Sequence, residues 1–194
     1  MQIIKKINQL KQSEIKNKID ERIKEFENLG KNQENLFSEL CFCLLTANFQ
    51  AEKCIEIQEE MQKDFSNLEL EKLKYKLKEK GHRFWPQRAE RICLARNKEI
   101  KKERDWLVEN IKGLGMKEAS HFLRNIGEKD YAIIDFHILD LLEKENLIKK
   151  PKTLTKAKYI EIENKLKEIA EKTNLSLAEL DLYLWYLETG KVLK

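Results

Sequence analysis

Apolar and polar positions alternate with a helical period along almost the whole chain. Over residues 10–28, Ile15, Ile19, Ile23 and Phe26 form one stripe in an otherwise charged segment, which predicts an amphipathic helix closed by Leu29-Gly30. Residues 34–47 are denser. Leu36, Phe37, Leu40, Cys41, Leu44 and Leu45 leave little polar surface there, so this helix belongs at the centre of a core. A helix over 51–61 turns Ala51, Cys54, Ile55, Gln58 and Met61 inward, and a Lys-rich one over 68–80 turns Leu70, Leu73 and Leu77 inward and stops at Gly81. The next, over 86–98, has Pro86 in its first turn. It buries Ala89, Ile92 and Cys93 and points Arg88, Arg91 and Arg96 outward. Helices over 102–111, 116–126, 135–145, 155–172 and 176–188 complete the chain, the last opening on the capping pair Ser176 and Glu179 and ending at Gly190. The apolar link Tyr131–Ile134 is too short to predict a strand.

The expected fold is therefore all-α. A chain of 194 residues holds one large or two small subdomains. The expected division places residues 1–29 and 135–194 in a first helical subdomain and 30–134 in a second. The scarcity of Gly and Pro, six and two, agrees with a nearly all-helical chain. No apolar run is long enough to span a membrane. Cys41, Cys43, Cys54 and Cys93 sit in helical apolar patterns without metal-ligand spacing, so they read as reduced thiols in a cytoplasmic protein.

Charge changes the picture. The segment Lys72–Arg104 carries thirteen Lys or Arg against four Glu, a net of +9 in a chain whose total is +4, which leaves −5 for the remainder. A cationic segment on a near-neutral chain suits a polyanion, or is the solvated face of a Lys-rich helix. Aromatics stand among these cations: Phe84 and Trp85 lie between Arg83 and Arg88. They either stack on nucleobases or staple the helix that follows into the core.

The most specific motif is Ile111-Lys-Gly113-Leu-Gly115-Met-Lys117. Two glycines one residue apart allow a tight turn and a close approach by another chain. Residues 116–126 then form a helix with Ala119, Phe122, Leu123 and Ile126 on one face, and the amides at its start suit a phosphate. Asp135 follows Lys117 by eighteen residues, inside an apolar run, with His137 two further.

These residues resemble the helix-hairpin-helix motif (here 103–126) and catalytic loop of the base-excision DNA glycosylase superfamily, HhH-GPD. The wording GMKEASHFLRN followed by IDFHILDLL is most similar to its compact type-2 branch, the 8-oxoguanine DNA glycosylase/AP lyases. The resemblance implies a DNA-binding cleft between two helical subdomains, with Lys117 and Asp135 at its mouth. It implies removal of 8-oxoguanine from double-stranded DNA by a monomer, followed by nicking 3′ of the abasic site. Lys117 is then the nucleophile. A lysine attacks only as the neutral amine, a form favoured at a helix N-terminus among other cations. Asp135 stabilises the cationic sugar, takes a proton from the amine, or caps the following helix. Gly113 and Gly115 offer backbone amides to phosphates, and Arg88 and Arg91 add charge.

Asn48 matches the slot of an amide that enters the space left by the extruded base, or simply ends its helix. The base pocket is expected among Phe84, Trp85, Trp185 and Tyr186, with the terminal carboxylate of Lys194 as an acceptor, or else Trp185 completes the core. His137 reads as a packed, hydrogen-bonded residue, and His121 as a candidate for the cleft. Superfamily members with an iron–sulfur cluster carry four cysteines near the C-terminus. Here no cysteine follows Cys93, so no cluster and no other cofactor or metal is expected. Two other functions fit the motif less well: an oxidised-pyrimidine glycosylase/lyase, and a non-catalytic module that uses the hairpin as a phosphate clamp.

Overall fold

The computed structural model describes the backbone of residues 1–194 and all side chains except those of residues 33 and 34. Among the described residues there are eleven α-helices and no strand. They are α1 (Gln2–Leu10), α2 (Ile15–Leu29), α3 (Gln33–Thr46), α4 (Ala51–Asn67), α5 (Leu70–Glu79), α6 (Trp85–Ala95), α7 (Arg104–Asn110), α8 (Met116–Asn125), α9 (Phe136–Lys144), α10 (Lys156–Thr173) and α11 (Leu177–Thr189). None is long and apolar enough to cross a membrane. The sequence pattern missed α1, whose stripe is only Ile3 and Ile7, and it stopped α4 six residues early, before buried Phe65.

The chain divides into two compact units, Met1–Asn28 with Gly127–Lys194, and Leu29–Ile126. The return to the first unit thus falls at Gly127, eight residues before the expected Asp135. The link that carries it is bound to the first unit by its backbone. Glu163 accepts from the Ala132 amide (3.1 Å), and the Tyr159 hydroxyl donates to the Ala132 carbonyl (2.7 Å) while accepting from the Ile134 amide (3.2 Å). Apolar spacing carries no information on such bonds.

In the second unit α3 packs against α4, α6 and α8, as its all-round apolar surface requires. Leu40, Phe42, Leu44 and Leu45 are fully buried, each contributing about 1.5–3 kcal/mol by transfer from water. Buried with them is Glu39, whose carboxylate accepts from Asn125 Nδ2 (2.6 Å) and Gln58 Nε2 (3.1 Å). This network pins α3 to α4 and α8. Gly30 lies where the chain crosses α8's end: a methyl there would stand 1.9 Å from the Ile126 carbonyl oxygen. In the first unit, α10 packs against α1 and α11, and α9 against α11.

Candidate active site

The hairpin forms as its spacing predicts. The chain leaves α7 at Ile111, whose amide donates to the Leu107 carbonyl (3.0 Å), and turns as the Leu114 amide donates to the Ile111 carbonyl (3.1 Å). Ile111 and Leu114 are buried and anchor the turn from below, while Gly115 is exposed and Gly113 is half-buried. Gly113 has φ +102°, a left-handed value, and a methyl on it would stand 2.4 Å from Arg91 Cδ. Arg91 of α6 therefore lies along the turn, which brings two of the predicted residues together.

Lys117 stands in the first turn of α8 with 24% of its side chain exposed, and its Nζ is 4.0 Å from Glu118 Oε1. Glu118 folds back so that Oε2 accepts from the Gly115 amide (3.3 Å), supplying the cap that a glycine N-cap lacks. Cys54 at the start of α4 is close enough to feel both Arg88 and Lys117, although burial dominates and pushes its thiol up to about 12. That thiol is neutral and unreactive.

Arg88 corrects one expectation. It does not point outward: it is 4% exposed, and its Nη2 donates to the Ala47 carbonyl at the end of α3 (2.5 Å). Its guanidinium lies 5.7 Å from the Phe84 ring centre. Burial, then the neighbouring Arg91, pull its ordinary value down. The reason is that α3 ends in the core with an orphan carbonyl, and a long cationic side chain can reach it. Arg96 is likewise turned inward, its Nε donating to the Phe65 carbonyl (2.6 Å), and Cys93 is only half-buried.

The segment His82–Arg88 is thereby joined to the end of α3 twice. His82 accepts from the Phe84 amide through Nδ1 (3.2 Å), so Nε2 carries the proton and donates to the Leu45 carbonyl (3.1 Å). Just beyond, Asn48 takes φ +59°, a left-handed value that Asn tolerates, and its side chain is exposed. Phe84 and Trp85 are half-buried, with Arg83 5.0 Å over Phe84 and Lys78 5.6 Å over Trp85. His121 is buried edge-on to Phe42 within this unit, a packed residue of α8.

The other predicted residues belong to the first unit. Asp135 is the N-cap of α9 and accepts from the Ile138 amide through Oδ1 (3.0 Å). His137 has the Phe136 ring 3.9 Å away and Trp185 edge-on at 5.2 Å, so it is packed between aromatics. Trp185 is half-buried, and its buried Nε1 has no hydrogen-bond partner. Tyr186 and Lys194 are half-buried too.

The sequence model of the 8-oxoguanine DNA glycosylase family matches residues 19–175. The chain belongs to that family. An 8-oxoguanine DNA glycosylase/AP lyase of Methanocaldococcus jannaschii is 56% identical, the match covering 100% of both chains. One from Korarchaeum cryptofilum is 48% identical over 99% of this chain and 98% of its own. Among solved structures, the M. jannaschii 8-oxoguanine glycosylase/lyase in complex with a 15mer DNA containing 8-oxoguanine superposes with a TM-score of 0.95 at 55% identity, covering 100% of each chain. The 8-oxoguanine DNA glycosylase of Thermotoga maritima gives 0.92 at 42% identity, covering 100% of this chain and 99% of its own.

Glu118, beside Lys117, was not singled out by the pattern, and Cys54 was read there only as a buried thiol. For Glu118 a signal existed: Gly115 and Glu118 have the spacing of a capping box, with glycine in the place of serine or threonine. Among the described residues no group of three or more His, Cys, Asp or Glu is placed to hold a metal ion.

Proposed function

We propose that this chain excises 8-oxoguanine from double-stranded DNA and then nicks the strand 3′ of the abasic site, acting as a monomer. The carrying observation is the Gly113–Lys117 hairpin, with a part-buried lysine at the first turn of α8, in a chain of this family. The relatives bear both activities in their names, which favours this reading over an oxidised-pyrimidine enzyme or a non-catalytic clamp.

The neutral amine of Lys117 attacks C1′ of the target nucleotide. The C1′–N9 bond breaks, and the base leaves with its electron pair and takes up a proton. Opening of the sugar ring gives a C1′=N Schiff base. Loss of a C2′ proton then expels the 3′ phosphate by β-elimination, and water releases the lysine. One amine thus serves both steps. Asp135 stabilises the positive sugar as the base departs or accepts the proton of the amine. Its cap uses Oδ1, so the two duties do not compete for one oxygen.

The amides of Gly113 and Gly115 and the Arg91 guanidinium hold backbone phosphates without reading sequence. Asn48 fills the space left by the extruded base, at a corner that Arg88 and His82 fasten to α3. Phe84, Trp85, Trp185 and Tyr186 are the aromatics that offer faces for a purine, and the Lys194 carboxylate is an acceptor for its N–H groups. None of these steps calls on an iron–sulfur cluster or another cofactor.

The test is borohydride trapping on a duplex with one 8-oxoguanine. The wild type cross-links and nicks. Lys117→Gln does neither yet still binds the duplex. Cross-linking by that variant would place the Schiff base on another residue.

A further inference from the structure

Glu118 caps the helix start in the hairpin that is proposed to hold a DNA phosphate. One carboxylate makes two contacts there. Oε2 accepts from the Gly115 amide at 3.3 Å, and Oε1 faces Lys117 Nζ at 4.0 Å. Glu118 keeps 18% of its side chain exposed, so the carboxylate is turned in on the hairpin and away from water. Its charge is also felt by Arg88. Of the donors that a DNA phosphate would meet here, the amide at the helix start is therefore already occupied by a carboxylate of the same chain, and the lysine ammonium stands at ion-pair distance from it.

We infer that Glu118 is an internal stand-in for the DNA phosphate, holding the Gly115 amide and Lys117 in the free protein until a backbone phosphate displaces it. This rests on the function proposed above. The carboxylate has two effects. It keeps the first turn of α8 and its lysine in place when no DNA is bound. It also lowers the affinity of the hairpin for any duplex, because a phosphate must first break the carboxylate's contacts and then lie near its charge. Glu118 is thus a positioning residue, and its cost falls on binding and not on the chemical step.

Glu118→Gln separates these effects. Its amide oxygen still accepts from Gly115, but the negative charge is gone. Single-turnover nicking of an abasic-site duplex gives the half-saturating protein concentration and the limiting rate, and needs no particular base. The expected result for Glu118→Gln is a half-saturating concentration about fivefold lower, the upper end for a part-exposed ion pair, with a limiting rate no lower than that of the wild type. The gain shrinks as salt is raised, since screening weakens the same repulsion in the wild type. Glu118→Ala shares the gain in binding but melts at a lower temperature, having lost the cap. A Glu118→Gln protein with wild-type binding at every salt concentration would make Glu118 a plain helix cap and overturn the inference. Loss of the limiting rate in a folded Glu118→Gln protein would overturn it too, by giving the carboxylate a part in the chemistry. A wild type that nicks no abasic duplex would refute the functional reading instead.

Discussion

Gly113→Ala tests how the hairpin is built. The residue has φ +102°, and a methyl group would stand 2.4 Å from Arg91 Cδ and 2.8 Å from its Nε. Two costs follow. An L side chain held in a sparsely populated backbone region costs about 1–3 kcal/mol. The clash is with a flexible side chain, so Arg91 swings away and the steric part adds little to the loss of stability. In a chain of this size each kcal/mol lowers Tm by about 2–4 °C, so the variant should melt about 2–12 °C below the wild type. It should also bind duplex DNA more weakly, because the Arg91 charge leaves the turn.

Gly115→Ala is the matched control. Gly115 has an ordinary φ of −99°, and its methyl would meet only the Glu118 carboxylate, at 3.3 Å. Its Tm should shift by less than about 2 °C, in keeping with a surface substitution within ~0.5 kcal/mol. Thermal unfolding followed by circular dichroism, with duplex binding by fluorescence anisotropy, measures both. Repeating Gly113→Ala in an Arg91→Ala background closes a double-mutant cycle. The backbone cost should persist there while most of the binding defect disappears. Full recovery of stability in that background would show that the clash, not the left-handed backbone, sets the cost, and the reasoning would fail.

Two further predictions address other parts of the protein. Asp135→Ala removes the α9 cap and should cost about 1 kcal/mol, whereas Asp135→Asn keeps a capping oxygen and should melt like the wild type; both should excise 8-oxoguanine about 10²-fold more slowly, the scale of a lost electrostatic stabiliser, and wild-type excision by the Asn variant would leave Asp135 only its cap. Burial holds the His82 imidazole below its ordinary value, while in the unfolded chain it takes up a proton near about pH 6.5. Between those two values only the unfolded chain is protonated, so stability present above pH ~6.5 is lost as pH falls through it. His82→Gln, which cannot titrate, should lose less stability between pH 7.5 and 5 in urea unfolding, and an identical loss would take His82 out of the acid response.

The helices and the hairpin were legible in the sequence because their causes are local. A period near 3.6, a capping Ser176 and a stop at Gly81 or Gly190 each act within a few residues of themselves. The pair Gly113 and Gly115 likewise carries its meaning in its spacing, and Lys117 and Asp135 follow in the register of a known family. What the sequence left open depends on partners distant along the chain. Arg88 was read as a phosphate grip from its place among cations, yet the carbonyl of Ala47, forty-one residues away, draws it into the core. Glu39 found its acceptor role through Asn125, eighty-six residues on, and the link from Gly127 to Ile134 joined the first unit through Tyr159 and Glu163. For Glu118 the capping-box spacing foretold the bond to the Gly115 amide, but the tertiary structure decided that its other oxygen faces Lys117. Local pattern determines which segments are helical, because the backbone satisfies its own hydrogen bonds there. Only the tertiary structure decides where long polar side chains go, because the groups they satisfy are brought near by the fold.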